Sequence, residues 1–184
     1  MVNKFFEKAV FLDRDGVLIK TKIVNNKPFA ITSQKDLYFI KGVREGLDKL
    51  KNLNFLLIVV TNQPDVVTKK ISINEINKIH NVIKSKLPID DIFVCLEIES
   101  ENSTHYKPKP GMLIDASKKF NIDLKKSFII GDRWRDIGAG KNAGCKTILI
   151  DYFYEEQFYI KPSYKVKNFL EAVDIICDQN SSTN

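Results

Sequence analysis

The sequence predicts an α/β fold in which helices cover both faces of a central parallel sheet, and three observations carry that reading. Apolar runs of strand length alternate with stretches of helical period. One run, FLLIVVTN at 55–62, is apolar almost throughout, as a strand buried on both faces must be. Polar residues capable of chemistry stand at the carboxyl ends of several runs, the rim where open parallel sheets bind ligands.

The elements follow in order. KAVFLDRD, residues 8–15, reads as the first strand, and an irregular stretch follows it. VREGLDKLKNL puts Val43, Leu47 and Leu50 on one helical face ahead of the second strand at 55–62. SINEINKIHNVIKSKL opens with Ser72 and Glu75 at capping-box spacing and repeats Ile76, Ile79, Ile83 and Leu87 as a helical stripe. His80 reads as a surface or boundary residue of that helix. DIFVCLE at 91–97 is the third strand, and a polar loop leads to the helix PGMLIDASKKF, with Pro110 near its first turn. KSFIIGD is the fourth strand, RDIGAGKNAG a short helix ending at Gly144, and KTILID the fifth strand. Residues 152–167 are expected to form a packed connection with one edge strand near Tyr164, and VKNFLEAVDIIC the closing helix. Residues 1–184 read as one domain, with 176–184 as a frayed tail.

Composition narrows the function. A chain of 184 residues, 43% hydrophobic and 28% charged, can bury a real core. No apolar run reaches the length of a membrane span, and the first residues lack the apolar region of a signal peptide, so the expectation is a cytoplasmic protein without a membrane partner. Cys95, Cys145 and Cys177 form no CxxC pair and suit a reduced compartment. The net charge of +6 is spread along the chain, with no basic run interleaved with aromatics. A small anionic substrate fits this better than nucleic acid.

The strand ends carry Asp13 and Asp15 after the first strand, Thr61 and Asn62 after the second, and Asp132 after the fourth. Carboxylates that converge in a crevice must hold a proton or share a cation, and oxygen ligands favour a hard cation such as Mg2+. A carboxylate can attack phosphorus to form an aspartyl-phosphate, while a second one protonates the leaving oxygen and then activates water. Thr61 and Asn62 would donate to phosphate oxygens, and a lysine would offset the charge. YKPKPG supplies Lys107 and Lys109; with Pro108 holding the backbone extended, the two point to one side, and spacing does not choose between them.

FLDRDGVL at 11–18, VVTNQP at 59–64, YKPKPGM at 106–112 and IIGDRWRDIGAG at 129–140 resemble, in order and spacing, the motifs of the haloacid dehalogenase superfamily of phosphohydrolases. Within it the chain is similar to the branch that holds the bacterial heptose bisphosphate phosphatases and the histidinol-phosphatase domain. The resemblance implies a three-layer Rossmann-like fold, Asp13 as nucleophile and Asp15 as acid/base. It further implies Thr61, Asn62 and Gln63 toward the phosphate, Lys107 as the stabilising lysine, and Mg2+ held by Asp13, the Asp15 carbonyl and Asp132. Asp136 would stand behind the metal or be structural, and Arg133 and Tyr106 would meet the substrate. The intervals between motifs leave no room for a large cap domain, so loops at 20–39 and 97–106 would set specificity.

Three positions depart from that branch. Its zinc loop reads Cys-x-His and Cys-x-Cys-Arg-Lys-Pro, where this chain places Cys95, Glu97, Ser103 and His105, with Tyr106 for the arginine. Ser103 is a poor zinc ligand, so the expectation is a loop held by other contacts, although Cys95, Glu97 and His105 remain a conceivable three-ligand set. Ile19 stands where an asparagine commonly follows DRDG. The expected function is a Mg2+-dependent phosphomonoesterase acting on a small sugar phosphate, heptose bisphosphate first and histidinol phosphate second, as a monomer or homodimer. Of the competing readings, a receiver-like signalling module needs its phosphorylated aspartate after the third strand, where Glu97 stands. A P-loop reading of Gly138–Lys141 lacks the preceding glycine and the following Ser or Thr. A catalytically dead phosphate-binding protein would not need Asp13, Asp15, Thr61, Lys107 and Asp132 together.

Overall fold

The computed structural model describes residues 7–156 and 160–181. Along the chain run β1 (Lys8–Leu12), β2 (Lys22–Val24), β3 (Lys27–Phe29), α1 (Val43–Asn52), β4 (Phe55–Asn62), α2 (Ile73–Lys86), β5 (Asp91–Cys95) and α3 (Gly111–Phe120). β6 (Phe128–Gly131), α4 (Trp134–Ala143), β7 (Lys146–Ile150), β8 (Tyr164–Val166) and α5 (Phe169–Ser181) complete it. Six strands form one parallel sheet in the order β5-β4-β1-β6-β7-β8, so β1 is flanked on both sides and every strand presents its carboxyl end to the same rim.

Strand alternation divides the core into two layers. Ala9 and Phe11 of β1 face one side, where they join Met112, Leu113 and Ala116 of α3 and Ala139 of α4. Val10 and Leu12 face the other, where Leu47 and Leu50 of α1, Ile76, Ile79 and Ile83 of α2, and Phe169 and Val173 of α5 cover the sheet. The three layers are therefore two helical faces with the sheet between them. No large cap domain is present among the described residues, and no helix there is long and apolar enough to cross a membrane.

The structure adds what periodicity did not show. The stretch after β1, expected to be irregular, contains the hairpin β2–β3, in which Lys22 pairs with Phe29 and Val24 with Lys27. Its two-residue turn is Asn25-Asn26, at φ 49° and 59°, the left-handed pair that suits the twist of a hairpin. Val166 lies in the edge strand β8, and α5 begins at Phe169, because the Asn168 Oδ1 accepts the Glu171 N–H at 3.0 Å as an N-terminal cap. That helix runs on to Ser181, tied to the sheet by Lys8 Nζ on Asn180 and Lys146 Nζ on Gln179, so 176–181 is helical where a frayed tail was expected. Residues 182–184 of that tail lie outside the described residues.

Gly138 and Gly140 of the GAGK run are buried inside α4, on the side that meets the sheet and the Pro108 turn. A Cβ on Gly140 would lie 2.2 Å from Ile129 Cγ2 and 2.7 Å from Thr147 Cγ2, both side chains of packed strands. Gly140→Ala should therefore lower unfolding stability by about 1–3 kcal/mol through overpacking, read as a lower urea midpoint at unchanged slope.

Candidate active site

Sheet topology brings the strand ends together. The Asp13 N–H donates to Ile130 O at 3.0 Å, which fixes Asp13 where β1 runs out beside β6. Asp132 follows β6 directly and faces it. Gly16 makes their approach possible: its φ is +83°, and a Cβ there would come within 1.9 Å of Asp132 Oδ2. Asp13, Asp132 and Asp136 place one carboxylate oxygen each within 4.8 Å of one another.

Lys107 answers this concentration of negative charge. Its side chain is buried, and Nζ donates to Asp13 Oδ1 at 2.9 Å, Asp136 Oδ1 at 2.5 Å and Val60 O at 2.9 Å. Burial alone would favour the neutral amine, but Asp13 and Asp136 outweigh it and raise the Lys107 pKa. The turn at Tyr106–Lys109, closed by Lys109 N on Tyr106 O at 3.0 Å, sends the two lysines apart. Lys107 enters the site and Lys109 is exposed, which corrects the extended geometry expected from Pro108. Asn62 clamps the same segment: its Oδ1 accepts from Lys107 N at 3.0 Å and its Nδ2 donates to Lys107 O at 3.2 Å. The Asn62 side chain thus positions Lys107 while it also lines the cavity.

Asp15, two residues beyond Asp13, is held from behind. Its Oδ2 accepts from Arg14 Nε at 2.8 Å and Gln63 Nε2 at 3.2 Å, and its Oδ1 accepts from Ile31 N at 3.2 Å. Burial raises the Asp15 pKa, with Arg14 opposing and Asp13 adding to the rise. Gln63 also donates to Thr61 Oγ1 at 3.0 Å, so it ties Asp15 to Thr61. It does not line the cavity, contrary to the substrate-facing position expected for it. Behind Arg14 stands His80, which is buried and whose Nε2 lies 3.3 Å from Arg14 NH1, not on the surface or boundary. Ile19 is fully buried and bridges Phe39, so its side chain offers nothing to the site.

Asp132 is the least satisfied group. Both of its oxygens are buried without a well-aligned hydrogen bond, although the Tyr154 hydroxyl lies beside them; burial, with Asp13 and Asp136, raises its pKa strongly, and the Tyr154 hydroxyl and Arg133 oppose the rise. Asp136 differs, because Lys107 Nζ and Arg133 N both donate to it; burial still moves it up to about 6. Carboxylate oxygens of Asp132 beside those of Asp13 are the donor set a hard divalent cation takes. Asp13 and Asp132 fit such an ion, with Asp136 engaged by Lys107 behind them.

These groups open on a cavity of ≈ 470 Å³ lined by Asp13, Asp15, Thr61, Asn62, Tyr106, Lys107, Asp132, Arg133 and Asp136. The hairpin contributes Lys27, Pro28 and Phe29 to its outer wall, a contribution sequence reading missed although the Asn-Asn pair between short β-prone runs pointed to a turn. Arg133 pairs with Glu156, and Arg135, over the rings of Tyr106 and Trp134, pairs with Glu99 at 2.6 Å.

The 95–106 loop is held by protein contacts. His105 Nε2 meets Asp115 Oδ2 at 2.7 Å and its Nδ1 meets Thr104 Oγ1 at 2.9 Å, so both ring nitrogens have partners. Ser103 Oγ accepts from Tyr106 N at 2.9 Å; Cys95 is buried at the end of β5 and Glu97 is exposed. Cys95, Glu97 and His105 do not converge.

A profile of haloacid dehalogenase-like hydrolases matches residues 8–150. The D-glycero-beta-D-manno-heptose-1,7-bisphosphate 7-phosphatase of Helicobacter pylori strain ATCC 700392 / 26695 is 31% identical over 176 residues, covering 92% of this chain and 97% of that protein. The histidine biosynthesis bifunctional protein HisB of Campylobacter jejuni serotype O:6 is 34% identical over 147 residues, which are 77% of this chain and 41% of that protein. Among solved structures, the D,D-heptose 1.7-bisphosphate phosphatase of B. bronchiseptica, complexed with magnesium and phosphate, superimposes with a TM-score of 0.79. It shares 20% identity and covers 94% of this chain and 99% of its own.

Burial, with Arg14 and then Lys84, lowers His80 from 6.5 to about 4. Between those values the native state binds fewer protons than the unfolded chain, so the stability His80 contributes is complete above its unfolded pKa and is lost as pH falls toward 4. Urea midpoints measured from about pH 7 down to about pH 4 should fall more steeply for the wild type than for His80→Gln; parallel curves would show that the ring is protonated freely in the native state.

Proposed function

Because the chain belongs to the haloacid dehalogenase-like hydrolase family, we propose that it is a phosphomonoesterase acting through an aspartyl-phosphate at Asp13, with the 7-phosphate of D-glycero-D-manno-heptose 1,7-bisphosphate as its substrate. The observation that carries the reaction is the arrangement of Asp13 and Asp132 along one cavity, with Lys107 bonded to the first and the second buried without a well-aligned hydrogen bond. The substrate rests on the near full-length similarity to the Helicobacter pylori protein.

Asp13 Oδ attacks phosphorus, an acyl-phosphate bond forms, and the bond from phosphorus to the sugar oxygen breaks. Asp15, pushed up by burial, supplies the proton that this leaving oxygen needs. Water then enters; its oxygen attacks phosphorus, its proton passes to the Asp15 carboxylate, and the bond to Asp13 breaks, which restores both side chains. Lys107 offsets negative charge on Asp13 and the transferring group throughout, and Thr61 Oγ1 faces the cavity as a donor to a phosphate oxygen. Asp13, Asp132 and the backbone carbonyl of Asp15 would hold Mg2+, which when bound neutralises phosphate charge and orients the group for in-line attack.

Tyr106, Arg133 and the hairpin residues Lys27 and Phe29 also line the cavity and would meet the sugar. A histidinol-phosphate activity is the second reading, supported by the 34% identity to the Campylobacter HisB protein. Phosphate release should be highest with the heptose bisphosphate across a panel of sugar, polyol and amino-alcohol phosphates, and should require added Mg2+. Asp13→Asn should abolish turnover; activity that survives that change or full chelation overturns the mechanism. Preference for histidinol phosphate over every sugar overturns the substrate.

A further inference from the structure

Arg14 is the largest fully buried side chain of the described residues, yet it is charged and borders the site without lining the cavity. A buried guanidinium is costly unless its donors are used. Here Nε donates to Asp15 Oδ2 at 2.8 Å, NH2 lies 2.8 Å from the same oxygen without hydrogen-bond alignment, and NH1 lies 3.3 Å from His80 Nε2. Arginine has donors only, so His80 Nε2 must be the acceptor and the ring must be neutral, with its proton on Nδ1. Burial keeps it so.

The groups around Asp15 are all donors as well. Arg14 Nε, Gln63 Nε2 and Ile31 N meet both of its oxygens, an arrangement that orients the carboxylate and pairs it with a cation once its proton has left. In the proposed reaction Asp15 is ionised in the second half, after it has given its proton away and before it takes one from water. We propose that Arg14, braced by His80 of α2, is a positioning residue that holds Asp15 as the base for hydrolysis of the aspartyl-phosphate, and that His80 acts through Arg14. The inference rests on the reading of Asp15 as acid and base.

It makes an asymmetric demand on kinetics. Loosening Arg14 slows the second half-reaction and leaves the attack of Asp13 alone, particularly for a phosphate ester whose leaving group departs without a proton. Rapid-quench measurements with p-nitrophenyl phosphate and Mg2+ should show, for His80→Leu, a kcat about 10- to 100-fold below wild type. KM should fall in the same proportion, so kcat/KM is unchanged, and a burst of nitrophenolate approaching one per site should appear with acid-stable phosphoenzyme. His80→Gln, which keeps an acceptor near Arg14, should recover most of kcat and lose the burst. His80→Asn, too short to reach, carries the same expectation as Leu should the latter not fold. Equal loss of kcat and kcat/KM with no burst, or no recovery with Gln, overturns the positioning role. Asp15→Asn separates the two layers: it should accumulate phosphoenzyme from this ester. If it does not, the acid/base reading of Asp15 fails; if it does while His80→Leu behaves as wild type, only the role of Arg14 and His80 fails.

Discussion

Lys107 is the interaction on which the site depends. Three carboxylates packed beside one another at the rim of a sheet would push the strand ends apart, and a single ammonium bonded to Asp13, Asp136 and Val60 O holds β1, β4 and α4 to a common point. Breaking a buried pair leaves uncompensated charge and costs far more than the pair contributes when whole. The backbone is arranged to deliver that one nitrogen: Asn62 bonds both the N–H and the carbonyl of Lys107, and the turn at 106–109 carries Lys109 away. Asp132 is the carboxylate of the three that Lys107 does not reach.

The site is layered behind its front wall. Asp13 and Asp132 face the cavity, Asp15 stands beside them, and Arg14, Gln63 and His80 fill the space between β1 and α2. The chain bends at Arg14 just past β1, and its side chain reaches His80 of α2 while Asp13 and Asp15 line the cavity. Gly16 then lets the chain leave without striking Asp132. A few residues at the end of one strand thus serve three purposes, two toward the cavity and one toward the core.

The outer wall is built differently. Lys27–Phe29 of the hairpin, Tyr106 and the pair Glu155 and Glu156 line the cavity with Arg133 and Arg135 at the start of α4, Arg133 pairing with Glu156 and Arg135 with Glu99. The Arg135–Glu99 pair is partly exposed and weakly held, whereas Glu156 is nearly buried, so breaking its pair with Arg133 would leave a carboxylate short of a partner. His105, bonded to Thr104 and Asp115, and Ser103, bonded to Tyr106, hold the neighbouring loop by ordinary hydrogen bonds.

The sequence by itself determined the parallel sheet, its strands and the residues at their ends, because both follow from short-range rules: a strand buried on two faces must be apolar, and a residue just past it must lie on the rim. The four motifs also brought Asp13, Thr61, Lys107 and Asp132 into one site before any fold was known. Tertiary structure decided how a turn sends Lys109 away from Lys107, that Asn62 holds the Lys107 backbone and Gln63 ties Asp15 to Thr61, and that His80 is buried against Arg14. It also produced the hairpin wall, from a segment whose strands of three residues are too short to show a period. Each of these is a choice of partner between residues far apart in the chain, and it is settled by which buried donor or acceptor would otherwise be left without one.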